Sequence, residues 1–110
     1  MNTYQINGSA SIRILLADDH TIMRQGLSAL LQRQEGLTII GEANNGHEAV
    51  EQFRKHHPDI LLTDIEMPLM DGITALAAIR TEYPDARGIL LTMHAREGDI
   101  LHGMRAGAMG

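Results

Sequence analysis

Three aspartates stand directly after apolar runs, where an ionised group is costly. Asp18 and Asp19 follow the run I-L-L-A at 14–17, and Asp64 follows I-L-L-T at 60–63. Burying a carboxylate requires compensation, and three that lie close together raise one another's pKa. Mg²⁺ relieves that repulsion, because it prefers oxygen ligands and usually binds a few carboxylates plus water. These acids therefore predict a Mg²⁺ site if their strands are neighbours.

A second interpretation is that each acid merely caps the helix that follows it, as Asp often does. Three similar runs, however, end in polar groups at equivalent places, the last in Thr92. The carboxyl ends of parallel strands form the ligand crevice of open α/β sheets, which favours convergence. Asp71 is expected to be a helix N-cap, which leaves Asp64 as a carboxylate beside a cation. Such a group is suited to accept a phosphoryl group.

Strands and helices alternate along the chain. Apolar runs predict strands, and periodic segments between them predict helices; this alternation is typical of an α/β fold with a parallel sheet covered on both faces. The predicted strands are 12–17, 37–42, 59–63 and 88–92, and the predicted helices are 21–34, 46–56, 72–82 and 96–106.

The spacing of apolar residues predicts which face of each helix is buried. In the third helix the predicted face is Ile73, Leu76 and Ala77. Gly26, inside the first helix, is expected to permit close packing. In the first helix the predicted face comprises Met23, Leu27, Leu30, Leu31 and Gln34.

Composition excludes several classes of protein. The 110-residue chain is 44% apolar and 21% charged, which is typical of a single globular domain. It has no cysteine, so disulfides and thiolate metal sites are excluded. Its net charge is −5 with scattered basic residues, unlike a nucleic-acid-binding surface. No apolar run reaches the roughly 18 residues of a membrane span, so no membrane contact and a cytoplasmic location are expected.

Four motifs together resemble the receiver domain of bacterial two-component response regulators, and the match is closest to the NarL/LuxR-type subfamily. They are D-D-H-T-I-M-R-Q-G-L at 18–27, T-D-I-E-M-P-L-M-D-G at 63–72, L-L-T-M-H at 90–94 and R-A-G-A-M-G at 105–110. The resemblance implies a flavodoxin-like (CheY-like) doubly wound parallel sheet with strand order 2-1-3-4. Residues 1–11 are polar and uncharged and are expected to be a flexible leader, and the receiver domain is expected at 12–110.

The resemblance assigns roles to individual residues. Asp64 would accept a phosphoryl group from a histidine kinase. Asp19 would bind Mg²⁺ directly, Asp18 directly or through water, and Glu66 through its backbone carbonyl. Thr92 would be the switch hydroxyl that turns toward the phosphoryl group. The implied function is a phosphorylation-dependent signalling module rather than an enzyme.

The chain departs from the family pattern at its end. The usual fifth strand with its lysine, the fifth helix and the DNA-binding helix-turn-helix are missing from the sequence. DNA contact is therefore expected only through that other domain, and an uncovered fourth strand or first helix predicts a homodimer. Two alternatives stay open: a Mg²⁺-dependent phosphatase that passes through an aspartyl phosphate, and an interaction domain that cannot be phosphorylated. His20, beside the acid pair, is interpreted as structural.

Overall fold

A computed structural model of the chain describes residues 11–91. Strands and helices alternate as the apolar pattern predicts, and most boundaries lie within a residue or two of those expected. The strands are β1 (Ile12–Ala17), β2 (Leu37–Ala43), β3 (Ile60–Asp64) and β4 (Arg87–Leu91). The helices are α1 (Thr21–Gln32), α2 (Gly46–His56) and α3 (Gly72–Glu82).

The strands form one parallel sheet of order β2-β1-β3-β4, which confirms the predicted order. The register pairs Ala17 of β1 with Thr63 of β3. An aspartate follows each of these paired residues: Asp18 comes directly after β1, and Asp64 is the last residue of β3. The two aspartates therefore lie side by side at one edge of the sheet. A bulge in β2 shifts the β1–β2 register between Ile14 and Leu15 without disturbing the β1–β3 register.

Buried aliphatic side chains lie on both faces of the sheet. On one face, α2 and α3 pack together over residues such as Leu15 and Leu61, which have no exposed surface. On the other face, Leu27 and Leu31 of α1 pack against a smaller cluster that includes Leu16. Continuous apolar strands are what this arrangement requires, because both faces of each central strand are covered.

Two predicted helix faces were wrong in part. Met23 and Leu30 of α1 are exposed, and the buried residue is Ser28, whose hydroxyl accepts a hydrogen bond from Gln32 Nε2 at 2.8 Å. In α3, Ile73 is exposed, as is Ala77. The face that packs on the sheet is instead Gly72, Ala75, Leu76 and Ile79. Gln34 is exposed beyond the end of α1.

The rotation of α3 has a local cause. A Cβ at Gly72 would overlap the backbone carbonyl of Asp64, so only glycine allows the helix to begin this close to the end of β3. That contact determines which later residues of α3 face the sheet. Gly26 was expected to allow close packing, but nothing lies within 4 Å of the position where its Cβ would be, so that expectation was wrong.

Several expectations lie outside the described residues. These are most of the leader at 1–11, the helix at 96–106, and Thr92. Within residues 11–91, no helix combines the length and the apolar character needed to cross a membrane.

The two glycines should respond oppositely to substitution. We expect Gly72→Ala to destabilise the fold by about 1–3 kcal/mol, because the added methyl forces α3 away from Asp64. Gly26→Ala should stabilise it by up to about 1 kcal/mol, since alanine favours an open helical position. Urea unfolding of both variants measures this. Equal shifts of the same sign would contradict the close contact at Gly72.

Candidate functional site

The site is built at the carboxyl ends of β1 and β3. Asp18 and Asp64 are 4% and 5% exposed, while Asp19 is partly exposed. Ligand atoms of these three acids and His20 all lie within 4.8 Å of one another. The convergence of Asp18, Asp19 and Asp64 expected from their strand ends is therefore present.

His20 belongs to this cluster more closely than its interpretation as a structural residue suggested. Its Nδ1 lies 3.1 Å from Asp18 Oδ1, 3.2 Å from Asp19 Oδ1 and 3.9 Å from Asp64 Oδ2. Its backbone N–H also donates to Asp18 Oδ1 at 2.9 Å. The hydrogen bond to Asp18, followed by the charge of Asp19, raises the pKa of His20. The carboxylates therefore favour the protonated, positively charged form of the imidazole.

One carboxylate oxygen in the cluster lacks a hydrogen-bond partner among the described residues. Asp19 Oδ1 is buried and accepts no hydrogen bond within the described part of the chain. His20 Nδ1 lies within ion-pair distance of it, but their alignment is not that of a hydrogen bond. A buried oxygen without a partner is costly. A small divalent cation would satisfy it and would also reduce the repulsion among the acids, so these donors fit Mg²⁺.

The environment of Asp64 favours its neutral form. Desolvation by burial, followed by the negative charge of Asp18, raises the pKa of Asp64. The nearby backbone N–H groups of Ile65 and Glu66 lower the pKa of Asp64, but by less. The ionised carboxylate is therefore electrostatically unfavourable until a positive charge approaches it.

This raised pKa predicts a pH-dependent stability effect. The folded protein holds the Asp64 proton more tightly than the unfolded chain does. Stability is therefore lost as pH rises from the ordinary carboxyl pKa, 3.8, through the higher folded value. In metal-free buffer at neutral pH, we expect Asp64→Asn to be more stable than wild type, and the difference to shrink toward acidic pH.

Thermal unfolding with a chelator present measures this difference. Asp85→Asn is the matched control, because Asp85 is an exposed acid in the connection before β4, at the other end of the sheet. It should shift little at any pH. An Asp64→Asn protein that is less stable than wild type at neutral pH would contradict the unfavourable environment of Asp64.

The loop at 65–71 holds the end of β3 in place. Gly46 N–H of α2 donates to Met70 O at 2.9 Å, and Gly72 N–H donates to Ile65 O at 2.7 Å. Asp71 caps α3 by accepting from Thr74 N–H at 2.7 Å, so the predicted N-cap is present. Leu69 has a φ of 71°, in a left-handed region that is strained for a side chain of its size. The loop is therefore fixed on both sides of its strained tip.

The roles of two further residues assigned by resemblance stay predictions. Glu66 lies in the loop directly after β3, and its side chain is exposed. Whether the Glu66 carbonyl binds a cation stays a prediction. Thr92, the expected switch hydroxyl, follows the last described residue, Leu91, on β4, and its role also stays a prediction.

The sequence reasoning missed Arg24, which positions the acid pair. Its guanidinium donates to Asp18 O at 2.6 Å, to Asn44 Oδ1 at 2.5 Å and to Glu42 Oε1 at 2.8 Å. A signal was present, because Arg24 lies near the start of α1, where the helix dipole disfavours a cation. A basic residue there indicates partners elsewhere in the fold. Arg24 ties the turn after β1 to the end of β2.

Comparison with known proteins agrees with this geometry. The model of the response regulator receiver domain family matches residues 14–110. The chain belongs to this family. DegU of Brevibacillus brevis, a transcriptional regulatory protein, is 32% identical over 106 residues, covering 96% of this chain and 44% of DegU. This chain therefore spans less than half the length of that relative.

Solved structures show the same fold. The signal receiver domain of NarL from Mycobacterium tuberculosis superposes with a TM-score of 0.75 and 32% identity, covering 91% of this chain and 81% of that one. The CheX–CheY–BeF3–Mg²⁺ complex from Borrelia burgdorferi contains a chain with a TM-score of 0.74 and 32% identity, covering 89% and 76%. The expected receiver fold and the likeness to NarL/LuxR-type regulators are confirmed.

Proposed function

We propose that this receiver domain accepts a phosphoryl group on Asp64 from a histidine kinase, with Mg²⁺ bound beside it. The observation that carries the proposal is the placement of Asp64. It is a buried carboxylate at the end of β3, beside two further acids, and one of these has a buried oxygen that lacks a hydrogen-bond partner within residues 11–91. Such a carboxylate can act as a nucleophile once a cation offsets the negative charge around it.

The transfer requires little chemistry from the protein. An Asp64 carboxylate oxygen attacks the phosphorus, the bond from phosphorus to the donor's histidine nitrogen breaks, and the electron pair returns to that nitrogen. The register of β1 and β3 places the carboxylate beside Asp18. Positioning and charge neutralisation supply most of the catalysis of phosphoryl transfer. Asp64 then carries an acyl phosphate.

Mg²⁺ would be held by Asp18, Asp19 and Asp64, with the Glu66 backbone carbonyl as a further proposed ligand. When bound, it would neutralise the charge that develops on the phosphoryl oxygens. The likeness to a complex that contains Mg²⁺ and BeF3 supports this choice of cation. Arg24 and the loop at 65–71 keep the acids in position.

The proposed output is a changed surface rather than a released product. A phosphoryl group adds up to about −2 charge at pH 7, which Mg²⁺ and the Thr92 hydroxyl would accommodate. The change would shift an existing equilibrium between two conformations of the domain. The proposed partners are a histidine kinase, a second copy of the chain, and a DNA-binding domain elsewhere in the regulator. DegU, named as a transcriptional regulatory protein, supports the last of these.

Counting phosphoryl groups separates this function from its main alternative. With an acyl phosphate donor and Mg²⁺, we expect at most one phosphoryl group per chain, and phosphate release no faster than the decay of that modified chain. Intact mass and a phosphate assay on the same sample measure both. Release of many phosphates per chain per minute would indicate a phosphatase and contradict the receiver function.

A further inference from the structure

His20 is unusual as a helix N-cap. It occupies the N-cap of α1, yet its side chain makes no capping hydrogen bond. The residues usually found there are Ser, Thr, Asp and Asn, whose oxygens cap the helix. The imidazole instead turns back toward the end of β1, with Nδ1 facing the carboxylate oxygens of Asp18 and Asp19. Its role therefore lies in the acid cluster and not in the helix.

The distances around Nδ1 include its hydrogen bond to Asp18 Oδ1, and they also fall in the range between ligands of one cation. In an octahedral site with ligands about 2.0–2.1 Å from the metal, adjacent ligand atoms are about 2.9 Å apart and opposite ones about 4.1 Å. Nδ1 lies 3.1 and 3.2 Å from the oxygens of Asp18 and Asp19, and 3.9 Å from Asp64 Oδ2. It is thus placed as a neighbour of the first two and nearly opposite the third.

We propose that His20 Nδ1 is a ligand of the same cation that Asp18, Asp19 and Asp64 bind. This inference rests on the proposed function, since it concerns the cation of that site. Carboxylates and water suit Mg²⁺, whereas imidazole suits Ni²⁺ and other transition metals. The mixed donor set makes the site more selective for such metals than carboxylates alone would.

Pulsed EPR of the Mn²⁺-loaded 110-residue chain tests the ligand directly. Mn²⁺ is paramagnetic, and a coordinated imidazole nitrogen modulates its electron spin echo. At mildly alkaline pH, where imidazole is neutral, we expect nitrogen modulation in wild type. It should be absent in His20→Asn and in His20→Ala. His47→Ala is the control, because His47 is an exposed histidine on α2, and it should retain the signal.

Selectivity provides a second readout. Competition of Ni²⁺ and of Mg²⁺ against bound Mn²⁺ reports on this site alone. We expect the preference for Ni²⁺ over Mg²⁺ to fall at least about tenfold in His20→Asn, since even outer-shell changes cost 10–100-fold in metal affinity. An unchanged preference would overturn the proposal. Bound Mn²⁺ without nitrogen modulation, or modulation that persists in His20→Asn, would overturn it as well.

The two proposals can fail separately. If Mg²⁺ supports labelling of Asp64 but Mn²⁺ shows no coupled nitrogen, His20 is not a ligand and the receiver function stands. In that case the imidazole is only an ion-pair partner of the acids. If the chain binds no divalent cation and is not labelled, both proposals fall.

Discussion

Asp64→Asn should abolish phosphorylation of this chain. Treated with an acyl phosphate and Mg²⁺, wild type is expected to gain one phosphoryl group, and the variant none. The amide cannot act as the nucleophile. Intact mass spectrometry before and after treatment measures the difference. Because the only lysine, Lys55, lies in the last turn of α2, away from the site, labelling of wild type is expected to be slow.

Asp85→Asn is the control for the loss of one acid. It is exposed and distant from the cluster, so it should be labelled as wild type is. Equal labelling of wild type and Asp64→Asn would mean that another residue accepts the phosphoryl group.

Magnesium should stabilise the fold, and Asp19→Asn should remove most of that effect. A cation that binds only the folded protein stabilises it by mass action, by about 2.7 kcal/mol at a concentration 100-fold above its Kd. For a domain of this size, that corresponds to a rise in Tm of roughly 10 °C. Asp19 is proposed as the critical ligand because its buried Oδ1 has no hydrogen bond among the described residues. Thermal unfolding across a Mg²⁺ series measures the rise.

The comparison requires a control for ionic strength. Na⁺ at equal ionic strength should give only the small shift due to screening, and Asp85→Asn should respond to Mg²⁺ as wild type does. A Tm that does not move with millimolar Mg²⁺ would argue against a cation site at these acids. An equal rise in Asp19→Asn would remove Asp19 from the ligand set.

The sequence was sufficient to predict the arrangement of the acids. Asp18 and Asp64 each follow a continuous apolar strand, and parallel strands place their carboxyl ends at one edge of the sheet. The register between Ala17 and Thr63 then brings the two side chains together. Neither step depends on the details of packing, which is why the strand order and the cluster were both predictable.

Helix rotation and the positions of polar side chains were less predictable. The buried face of α3 follows from the close contact of Gly72 with Asp64, which apolar spacing does not reveal. The face of α1 includes Ser28, whose hydroxyl is satisfied locally by Gln32. Arg24 reaches Glu42 and Asn44 through a side-chain conformation that depends on the finished fold. A local sequence pattern carries no direct record of such tertiary contacts.

The most direct test of the central claim is to locate the modified residue. Reduction of an aspartyl phosphate with borohydride converts that aspartate to homoserine, which tandem mass spectrometry identifies by position. After treatment with an acyl phosphate and Mg²⁺, we predict homoserine at position 64 and at no other aspartate. Homoserine at Asp18 or Asp19 instead, or none in a chain that has gained a phosphoryl group, would contradict the assignment of Asp64 as the phosphoryl acceptor.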